Sequence, residues 1–570
     1  MTNTSRTATK SETTLVGCLV AAGLVVGLIQ SITWVSRVGW DTVSYLDLAD
    51  LIRRGNFHEA LSPYWSPLYP VIIAVAKTFA PALKSERTVI CVLQYIFLML
   101  YLGASYRFWS AVLKAQSRLS NEETARLPRL PQIALMGSLT LLSCLAVGDV
   151  AVKGPDMLSA AIYLTANALI VTCLYQAPSV ARAARIGCFM GLAYLAKAFF
   201  VSWVFPCVAL LAFFRKDYNL TWKHLIVLTI SMLTTMALYV VPLSLKLGHL
   251  SFGESGKYQI VFSSNEHILP MVPMVHGSIR TKHPAAILFQ TPVVYEFEKP
   301  FDVSYPPWFD PHYWNDGIDL KIDWKRYDEL LVDKIVSLFF SFVFFLSVLK
   351  VGLSFSARKL VPYSIQELKK TSPVWLTACA CSSLYLFMSA AVSRYFMGFI
   401  PTMAAAIFLA YKSPDTEPVA KRERRCLWFV TAIILVAFTL KSLMHIYFFV
   451  PKLAEKNSPD AHSAIVQKLE ELGIKPHDKI MRVAPNEGGE YYWAHLADIR
   501  VVAECASPEE FLSMSATKGN ELDAILRSKE IKAIVLDRTN RKPDEAAPAP
   551  TGAAWQNVPG TKTFIRLVPQ

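Results

Sequence analysis

The sequence offers few cysteines that could form disulfides, and it contains no evident internal repeat. Of its ten cysteines, all except Cys505 fall in or beside long apolar blocks, so no pair remains for a disulfide framework in the polar part of the chain. The lack of a repeat disfavours the transporter folds that are built from inverted halves. No small-residue cleavage site follows the first apolar block, so we interpret that block as a retained anchor and not as a signal peptide.

Apolar residues make up 53% of the 570-residue sequence, and its mean hydropathy is positive. One soluble core would not use that much apolar sequence, and the apolar residues fall in blocks of membrane-spanning length. We therefore predict a mainly α-helical, polytopic membrane protein, a transmembrane helix bundle of about eleven spans. The predicted spans are residues 15–35, 88–110, 131–147, 157–177, 186–200, 201–214, 224–247, 331–353, 373–391, 395–411 and 427–449.

The formal net charge of +13 does not indicate nucleic-acid binding, because the basic residues cluster in short connections between the apolar blocks. That placement is the orientation signal of membrane insertion. With a cytoplasmic N-terminus, every short basic connection lies on the cytoplasmic side, provided that Pro67–Pro81 is a helix lying in the membrane interface and not a span. We predict a multi-pass membrane protein that has the lipid bilayer as a partner and does not bind nucleic acid.

Two regions are expected along the chain: a membrane region, residues 1–450, and an extracytoplasmic (periplasmic) domain, residues 451–570. Long outer segments at 37–86 and 248–330 interrupt the membrane region. In the first of these, Leu46, Ala49 and Ile52 have the spacing of an apolar helix face, as expected for a helix lying on the membrane. In the C-terminal region, helical patterns alternate with strand-like runs near 479–484, 499–504 and 533–537, which predicts a small α/β domain.

A carboxylate, Asp41, lies just beyond the first predicted span. It belongs to the run Gly39-Trp-Asp-Thr-Val-Ser-Tyr45, which precedes Ser62-Pro-Tyr-Trp-Ser-Pro-Leu-Tyr-Pro70. A base at that depth can act on a lipid-phosphate headgroup without being buried in hydrocarbon. The alternative is structural: Asp41 would cap a helix that begins at Thr42.

The order of these features resembles the GT-C superfamily of glycosyltransferases that use polyprenyl-phosphate sugars, including aminoarabinose transferases and protein O-mannosyltransferases. In that family a first-loop acidic motif corresponds to Asp41-Thr-Val-Ser-Tyr45, where several relatives carry Asp-Glu. Other short runs are similar to later family motifs, namely Lys153-Gly-Pro-Asp-Met-Leu158, Gly191-Leu-Ala-Tyr-Leu-Ala-Lys-Ala198, Ser393-Arg-Tyr-Phe396 and, near the C-terminus, Trp555-Gln-Asn-Val-Pro-Gly560.

The resemblance implies a glycosyltransferase of the bacterial inner (cytoplasmic) membrane that moves a hexosyl or pentosyl group from a polyprenyl-phosphate donor, and not from a nucleotide sugar, to a glycan, lipid or protein acceptor with inversion. Such a reaction needs a base for the acceptor hydroxyl and cations for the departing phosphate. Asp41 is the expected base. No cofactor is implied with certainty; a divalent metal is left open, because a second carboxylate would have to come from Asp149 or Asp156.

The remaining candidates are expected to bind substrate, and several have a structural alternative. Lys197 would contact phosphate, or else snorkel to the interface or pair with a buried carboxylate. Arg394 would contact phosphate, or else be an interfacial arginine that binds any lipid headgroup. Asp156 would act in the site, or merely follow Pro155 at a helix start. The aromatic and acidic run 305–316 would hold sugar, or form a plug over the cavity. The full set of substrate-binding candidates is Tyr45, Tyr64, Trp65, Lys153, Asp156, Lys197, Trp308, Asp310, Arg394 and Tyr395.

Two other functions use the same features. One is a lipid or glycolipid transporter, in which Lys197 and Arg394 would guide a headgroup. The other is a non-catalytic, lipid-binding assembly subunit, which would tolerate the change Asp41→Asn. The enzyme hypothesis predicts that this change abolishes turnover.

Overall fold

The computed structural model describes most of the chain, namely residues 9–33, 38–79, 85–119, 129–148, 150, 152–256, 259, 286–297, 302–306, 369–388, 393–410, 417–454, 460–484, 491–514, 516–537, 550 and 554–569. Helices dominate up to residue 454. They are α1 (Lys10–Thr33), α2 (Trp40–Arg53), α3 (Phe57–Ala60), α4 (Leu68–Phe79), α5 (Glu86–Leu119), α6 (Arg129–Leu141), α7 (Asp156–Thr172), α8 (Val180–Ala196), α9 (Val201–Phe213), α10 (Trp222–Leu247), α11 (Ser372–Met388), α12 (Phe399–Ala410) and α13 (Glu417–Ala454).

Five of the described helical segments are long and apolar enough to cross a membrane: Lys10–Ile32, Glu86–Arg118, Arg129–Gly148, Trp222–Leu247 and Arg424–Met444. The third of these continues α6 through a π-helical turn at Leu142–Gly148. Other predicted spans correspond to shorter apolar helices, among them α7 and α9. The predicted span at 331–353 lies outside the described residues. The membrane character follows from these helices, whereas the count of eleven spans stays a prediction.

Helix α4 corresponds to the segment that we expected to lie in the membrane interface. At 1.5 Å per residue its 12 residues extend about 18 Å, too short for a hydrocarbon core of about 30 Å. Its inner face buries Tyr69 and Ile73, while Val75 and Phe79 on the opposite side are 51% and 82% exposed. This two-sided character is what an interfacial helix needs, and its contact with lipid stays a prediction.

Helix α2 differs from the prediction. We expected its apolar face to lie on the membrane, but Leu46 and Ala49 are fully buried within the protein. Asp47, on the polar side of the same helix, is 8% exposed and contacts groups from two other parts of the chain. Helix α2 is therefore an internal element that packs on α4, because its polar side also has protein partners.

Helices α8 and α10 pack very closely, and two glycines of α8 make this possible. A Cβ atom at Gly187 would overlap the carbonyl oxygen of Leu228, and one at Gly191 would lie 2.5 Å from Cβ of Thr235. Small residues four positions apart let two helix backbones approach within a membrane. The close approach brings the C-terminal end of α8, where Lys197 follows, into a fixed position.

The C-terminal region forms the predicted α/β arrangement. Its strands are β3 (Lys479–Val483), β4 (Arg500–Cys505), β5 (Ile531–Leu536), β6 (Gln556–Asn557) and β7 (Phe564–Leu567), and its helices are α14 (Ala461–Glu471), α15 (Tyr492–Leu496), α16 (Pro508–Leu512) and α17 (Ala516–Ser528). Strands β4, β3 and β5 run parallel at the centre. The helices supply the crossovers that parallel strands require.

The sheet also includes a hairpin from the long segment at 248–330, which we predicted to lie on the outer side. Strands β1 (Ala286–Gln290) and β2 (Val293–Glu296) pair with each other, and β2 pairs with β4 in antiparallel fashion. The seven strands lie in the order β1-β2-β4-β3-β5-β7-β6. Backbone pairing thus joins the segment at 248–330 to the C-terminal region, whereas the boundary that we placed at residue 450 remains a prediction.

Candidate active site

Asp41 lies in the first turn of α2 and faces a cavity. Gly39 occupies the N-cap position, with no side-chain hydrogen bond, so Asp41 does not cap the helix as the structural alternative required. Its carboxylate is 45% exposed because it faces this cavity. An acidic residue in the first helical turn is also stabilised by the helix dipole, so both features favour a carboxylate here.

The start of α2 is held against the turn that precedes α7. The Thr42 hydroxyl donates a hydrogen bond of 3.1 Å to the carbonyl oxygen of Lys153. The carbonyl oxygen of Gly154, in the same turn, accepts a hydrogen bond of 2.9 Å from the side-chain amide of Gln94 on α5. These two buried contacts fix the backbone on which Asp41 and Asp156 stand.

Lys197 enters the cavity because α8 ends at Ala196. Its backbone is extended (φ −155°, ψ 113°), which breaks the helix before the short turn Ala198–Phe200 that leads into α9. The ammonium nitrogen of Lys197 lies 2.5 Å from Oδ1 of Asp156 and 3.6 Å from the centre of the Tyr395 ring. A carboxylate and an aromatic face together stabilise a cation that a membrane segment would otherwise exclude.

Arg394 comes from the 3₁₀ turn Ser393–Phe396 between α11 and α12. Its Nε atom lies 3.1 Å from Oδ2 of Asp156, and its Nη2 atom lies 3.7 Å from Oδ2 of Asp41. The four side chains Asp41, Asp156, Lys197 and Arg394 form what we call the cavity charge cluster. They come from four different elements, and Asp156 bridges the two cations.

The cavity has a volume of about 610 Å³ and is lined by the whole cavity charge cluster. Aromatic side chains form another part of its wall, with the rings of Tyr45 and Tyr64 each centred 4.6 Å from that of Trp65. Lys153 and Tyr395 also line it. This volume lies within the range of about 300–1,000 Å³ that is usual for small-molecule sites, and charged groups beside aromatic faces suit a ligand with a phosphate and a sugar.

The pKa values of the two carboxyl groups in the cluster shift in opposite directions. Although the Asp41 carboxylate faces the cavity, the surrounding protein limits its hydration, and this desolvation raises its pKa; Arg394 opposes that rise and Asp156 adds to it. Burial also disfavours ionisation of Asp156, but Lys197 and Arg394 outweigh it and lower the pKa of this group. The Arg394 guanidinium keeps its charge, because Asp156, Tyr395 and Asp41 raise its pKa despite its burial. Asp156 is thus a permanent counter-ion and Asp41 the more basic group, the separation of roles that acid–base sites use.

Lys153 is a third cation at the wall of the cavity, but a weaker one. It is 5% exposed, and this burial lowers the pKa of its ammonium group to about 8; Cys91 opposes the fall and Arg87 adds to it. Its side chain therefore loses its charge just above neutral pH, unlike Arg394.

The structure brings most of the predicted site residues around one cavity, namely Asp41, Tyr45, Tyr64, Trp65, Lys153, Asp156, Lys197, Arg394 and Tyr395. Trp308, Asp310 and Asp149 lie outside the described residues. The roles of all these residues stay predictions.

Sequence reasoning missed several residues of the cavity wall, among them Tyr385 and Gln259. Tyr385 stacks on Tyr395 with ring centres 4.9 Å apart, and Gln259 donates a hydrogen bond of 2.6 Å to the hydroxyl of Tyr64. Tyr385 lay inside a predicted span and Gln259 in a long segment without periodicity. A polar aromatic side chain near the end of an apolar block is the signal that could have identified Tyr385.

A metal ion is not assigned at the cavity charge cluster, where cations of the protein already satisfy Asp156. Among the described residues, one group offers three ligand atoms within 4.8 Å of one another: Asp50, Glu86 and His495. There too a protein cation is present, since the ammonium nitrogen of Lys77 lies 2.6 Å from Asp50 Oδ1 and also contacts Glu86. We therefore describe that group as an ion-pair cluster.

Neither a family model nor a curated protein matches this chain. Among solved structures, the chain is similar to ArnT from Cupriavidus metallidurans bound to undecaprenyl phosphate, with 12% identity and a TM-score of 0.48 over 97% of this chain and 98% of that one. It is also similar to the oligosaccharyltransferase of Archaeoglobus fulgidus in complex with zinc and sulfate, with 13% identity and a TM-score of 0.41 over 90% of this chain and 68% of that one.

Proposed function

We propose that this protein is an integral membrane glycosyltransferase. It transfers one sugar from a polyprenyl-phosphate carrier to a hydroxyl group of a glycan, lipid or protein acceptor at the extracytoplasmic face. Asp41 is the general base, and Lys197 and Arg394 bind the phosphate. The observation that carries the proposal is the cavity charge cluster: a basic carboxylate and two cations converge on a single cavity of suitable size.

The bond changes follow from these roles. The acceptor oxygen forms a bond to the anomeric carbon of the donor sugar while the bond from that carbon to the phosphate oxygen breaks. The electron pair of the broken bond leaves with the phosphate, and the acceptor proton passes to the Asp41 carboxylate. The polyprenyl phosphate gains one negative charge in this step, so cations that contact its oxygens stabilise the transition state more than the bound donor.

The arrangement of charges supports this assignment. Asp156 holds Lys197 and Arg394 close to each other despite their like charges, which preorganises two donors for one phosphate group. Arg394 also lies 3.7 Å from Asp41, so the base and the phosphate contact are neighbours. A sugar bound beside this pair would have its anomeric carbon close to both groups. The Asp41 carboxylate is still partly exposed to the cavity, and a bound substrate that displaces water would strengthen the rise in its pKa.

The test is a transfer assay with the purified full-length protein in nanodiscs and a set of radiolabelled polyprenyl-phosphate sugars, with lipid, glycan and protein acceptors. We expect label to move from at least one donor to an acceptor. The Asp41→Asn variant should lose about 10²- to 10⁴-fold in kcat, the usual contribution of a positioned base, while donor binding persists. The matched control is Glu59→Gln, which neutralises a carboxylate that is 61% exposed and does not line the cavity.

Other outcomes would contradict the proposal in distinct ways. Movement of labelled headgroups across the bilayer, without transfer to any acceptor, would indicate the lipid transporter. Donor binding without turnover in the wild type, and unaltered in Asp41→Asn, would indicate the non-catalytic assembly subunit. An Asp41→Asn variant that transfers sugar at the wild-type rate would remove Asp41 from the role of base.

A further inference from the structure

A second cluster of charges lies on α2, outside the cavity wall. It contains Asp47 and Asp50 from α2, Lys77 from α4, Glu86 from the start of α5 and His495 from α15 of the C-terminal domain. His495 and Asp47 have only 5% and 9% of their side-chain surfaces exposed. We call this group the α2 ion-pair cluster. It joins the membrane region to the C-terminal domain.

His495 makes a charged contact with each of its ring nitrogens. Its Nδ1 atom lies 2.6 Å from Asp47 Oδ1, and its Nε2 atom lies 2.9 Å from Glu86 Oε2. Ionised carboxylates only accept hydrogen bonds, so both nitrogens must donate, and this requires the imidazolium form. Consistent with that geometry, the hydrogen bonds to Asp47 and Glu86 raise the pKa of His495 to about 10, although burial alone would lower it.

Asp47 connects three parts of the chain. It stands on α2, accepts the hydrogen bond from His495 of the C-terminal domain, and accepts another at 3.0 Å from the hydroxyl of Ser304 in the long outer segment. With a rise of 1.5 Å per residue, Asp47 lies about 9 Å along α2 from Asp41. A helix this short moves as one body, so a contact that fixes Asp47 also fixes the carboxylate of Asp41.

We propose that His495 is a positioning residue: by holding Asp47 and Glu86 together, it sets α2 so that Asp41 meets the acceptor hydroxyl. This inference rests on the proposed function, since it names a residue that acts through Asp41. His495 does not line the cavity and touches none of its charged groups. Lys197 and Arg394 are carried by other elements and both pair with Asp156 of α7, so their positions depend less on the setting of α2 than that of Asp41 does.

This separation determines the kinetic signature. Replacing His495 should misplace the base while the phosphate-binding cations remain in position. The variant His495→Gln keeps a donor of similar reach but loses the positive charge. We expect kcat to fall on the order of 100-fold, the cost of misplacing a reacting group by about 1 Å, with KM for the donor within about two-fold of wild type. Purely structural damage would instead lower the amount of folded protein and leave the kcat of the remainder unchanged.

Hydrogen–deuterium exchange supplies a readout that needs no activity. In His495→Gln we expect faster exchange of the amides of Trp40–Tyr45, at the far end of α2 from the substitution, with no change in α10. Asp47→Asn tests the same contact from the α2 side and should reproduce both effects in a milder form. The matched control is Asp498→Asn, which removes the exposed ion pair of 2.8 Å between Asp498 and Arg54 at the end of α2. Exposed pairs contribute little, so this variant should behave as wild type.

The outcomes separate this inference from the proposed function. If the wild type transfers no sugar, the proposed function fails, whereas exchange at Trp40–Tyr45 still decides whether His495 sets the start of α2. Unchanged exchange there in both His495→Gln and Asp47→Asn would overturn the positioning role. A rise in KM with kcat preserved would also overturn it, because it would show that His495 acts on donor binding. If His495→Gln folds poorly, the exchange and kinetics of Asp47→Asn provide the test of the positioning role.

Discussion

The Nζ atom of Lys197 lies 2.5 Å from Oδ1 of Asp156, across 41 positions of sequence. The other oxygen of the same carboxylate lies 3.1 Å from Nε of Arg394. One anion thus determines where two cations stand, and Asp41 is the second carboxylate beside them. Asp156 therefore organises the cavity charge cluster, and its own contact with substrate is a separate question that substitutions can address.

Replacing Asp156 by Asn should disorganise the phosphate contact without removing either cation. Lys197 and Arg394 would lose their shared counter-ion and move apart, since like charges repel at this distance. We expect kcat of Asp156→Asn to fall on the order of 100-fold. Steady-state kinetics measure the fall in kcat. The variant Asp498→Asn, which removes a carboxylate far from the cavity, is the control. A kcat within about two-fold of wild type would contradict the organising role.

The acid limb of the pH profile should report Asp41. A general base works only when ionised, so activity should rise with pH through the pKa of this group. Burial places that pKa above the ordinary carboxyl value, with Arg394 restraining the rise. In Arg394→Gln the restraint is lost, so the limb of log(kcat/KM) should shift to higher pH as well as to lower rates. A limb that moves to lower pH or stays in place would mean that another group titrates.

Gly187 should tolerate no side chain. Even the Cβ atom of alanine would overlap the carbonyl oxygen of Leu228, a backbone atom that cannot rotate away. We expect Gly187→Ala to separate α8 from α10 and destabilise the protein by about 1–3 kcal/mol, the usual cost of overpacking. Thermal unfolding in detergent provides the measurement. Gly103→Ala in α5 is the control, because its Cβ would meet open space and should leave the melting temperature unchanged or slightly higher.

The stabilisation that His495 provides should disappear in alkali. Its pKa rises from 6.5 to about 10 on folding, so the folded state binds the proton more tightly than the unfolded state. The stabilisation is therefore complete below pH 6.5, declines as the pH rises from there to about 10, and is absent above it. The difference in melting temperature between wild type and His495→Gln should be largest near about pH 6 and close to zero above about pH 10. A difference that is independent of pH would show that His495 contributes packing and not charge.

Local physics made several elements predictable. The apolar blocks correspond to helices such as α5 and α10, because the length and apolar content of one continuous segment are enough to predict a membrane helix. The C-terminal strands β3, β4 and β5 were found within about two residues for the same reason, since β-branched runs between polar turns indicate strands. The short basic and acidic motifs also pointed to the residues that line the cavity.

Other features depend on neighbours that are distant in sequence. Helix α2 has the pattern of an amphipathic helix, and such a pattern is the same whether lipid or protein covers its apolar face. Asp47 is buried because α4 packs against α2 and because Ser304 and His495, both distant in sequence, contact its carboxylate. Gln259 was missed because nothing in its own segment distinguishes it, and Tyr385 because its place near the end of an apolar block is a weak signal without knowledge of the cavity.

The sequence by itself determined which stretches are helices or strands, which of them are apolar enough for a membrane, and which charged residues stand out as costly there. Each of these depends on the chemistry of a few consecutive residues. The tertiary structure alone decided that Asp156 joins Lys197 and Arg394 beside Asp41, and that His495 reaches α2. Those contacts join elements that are far apart along the chain, and the energy of a charge depends on which partner the packed helices bring within a few ångströms.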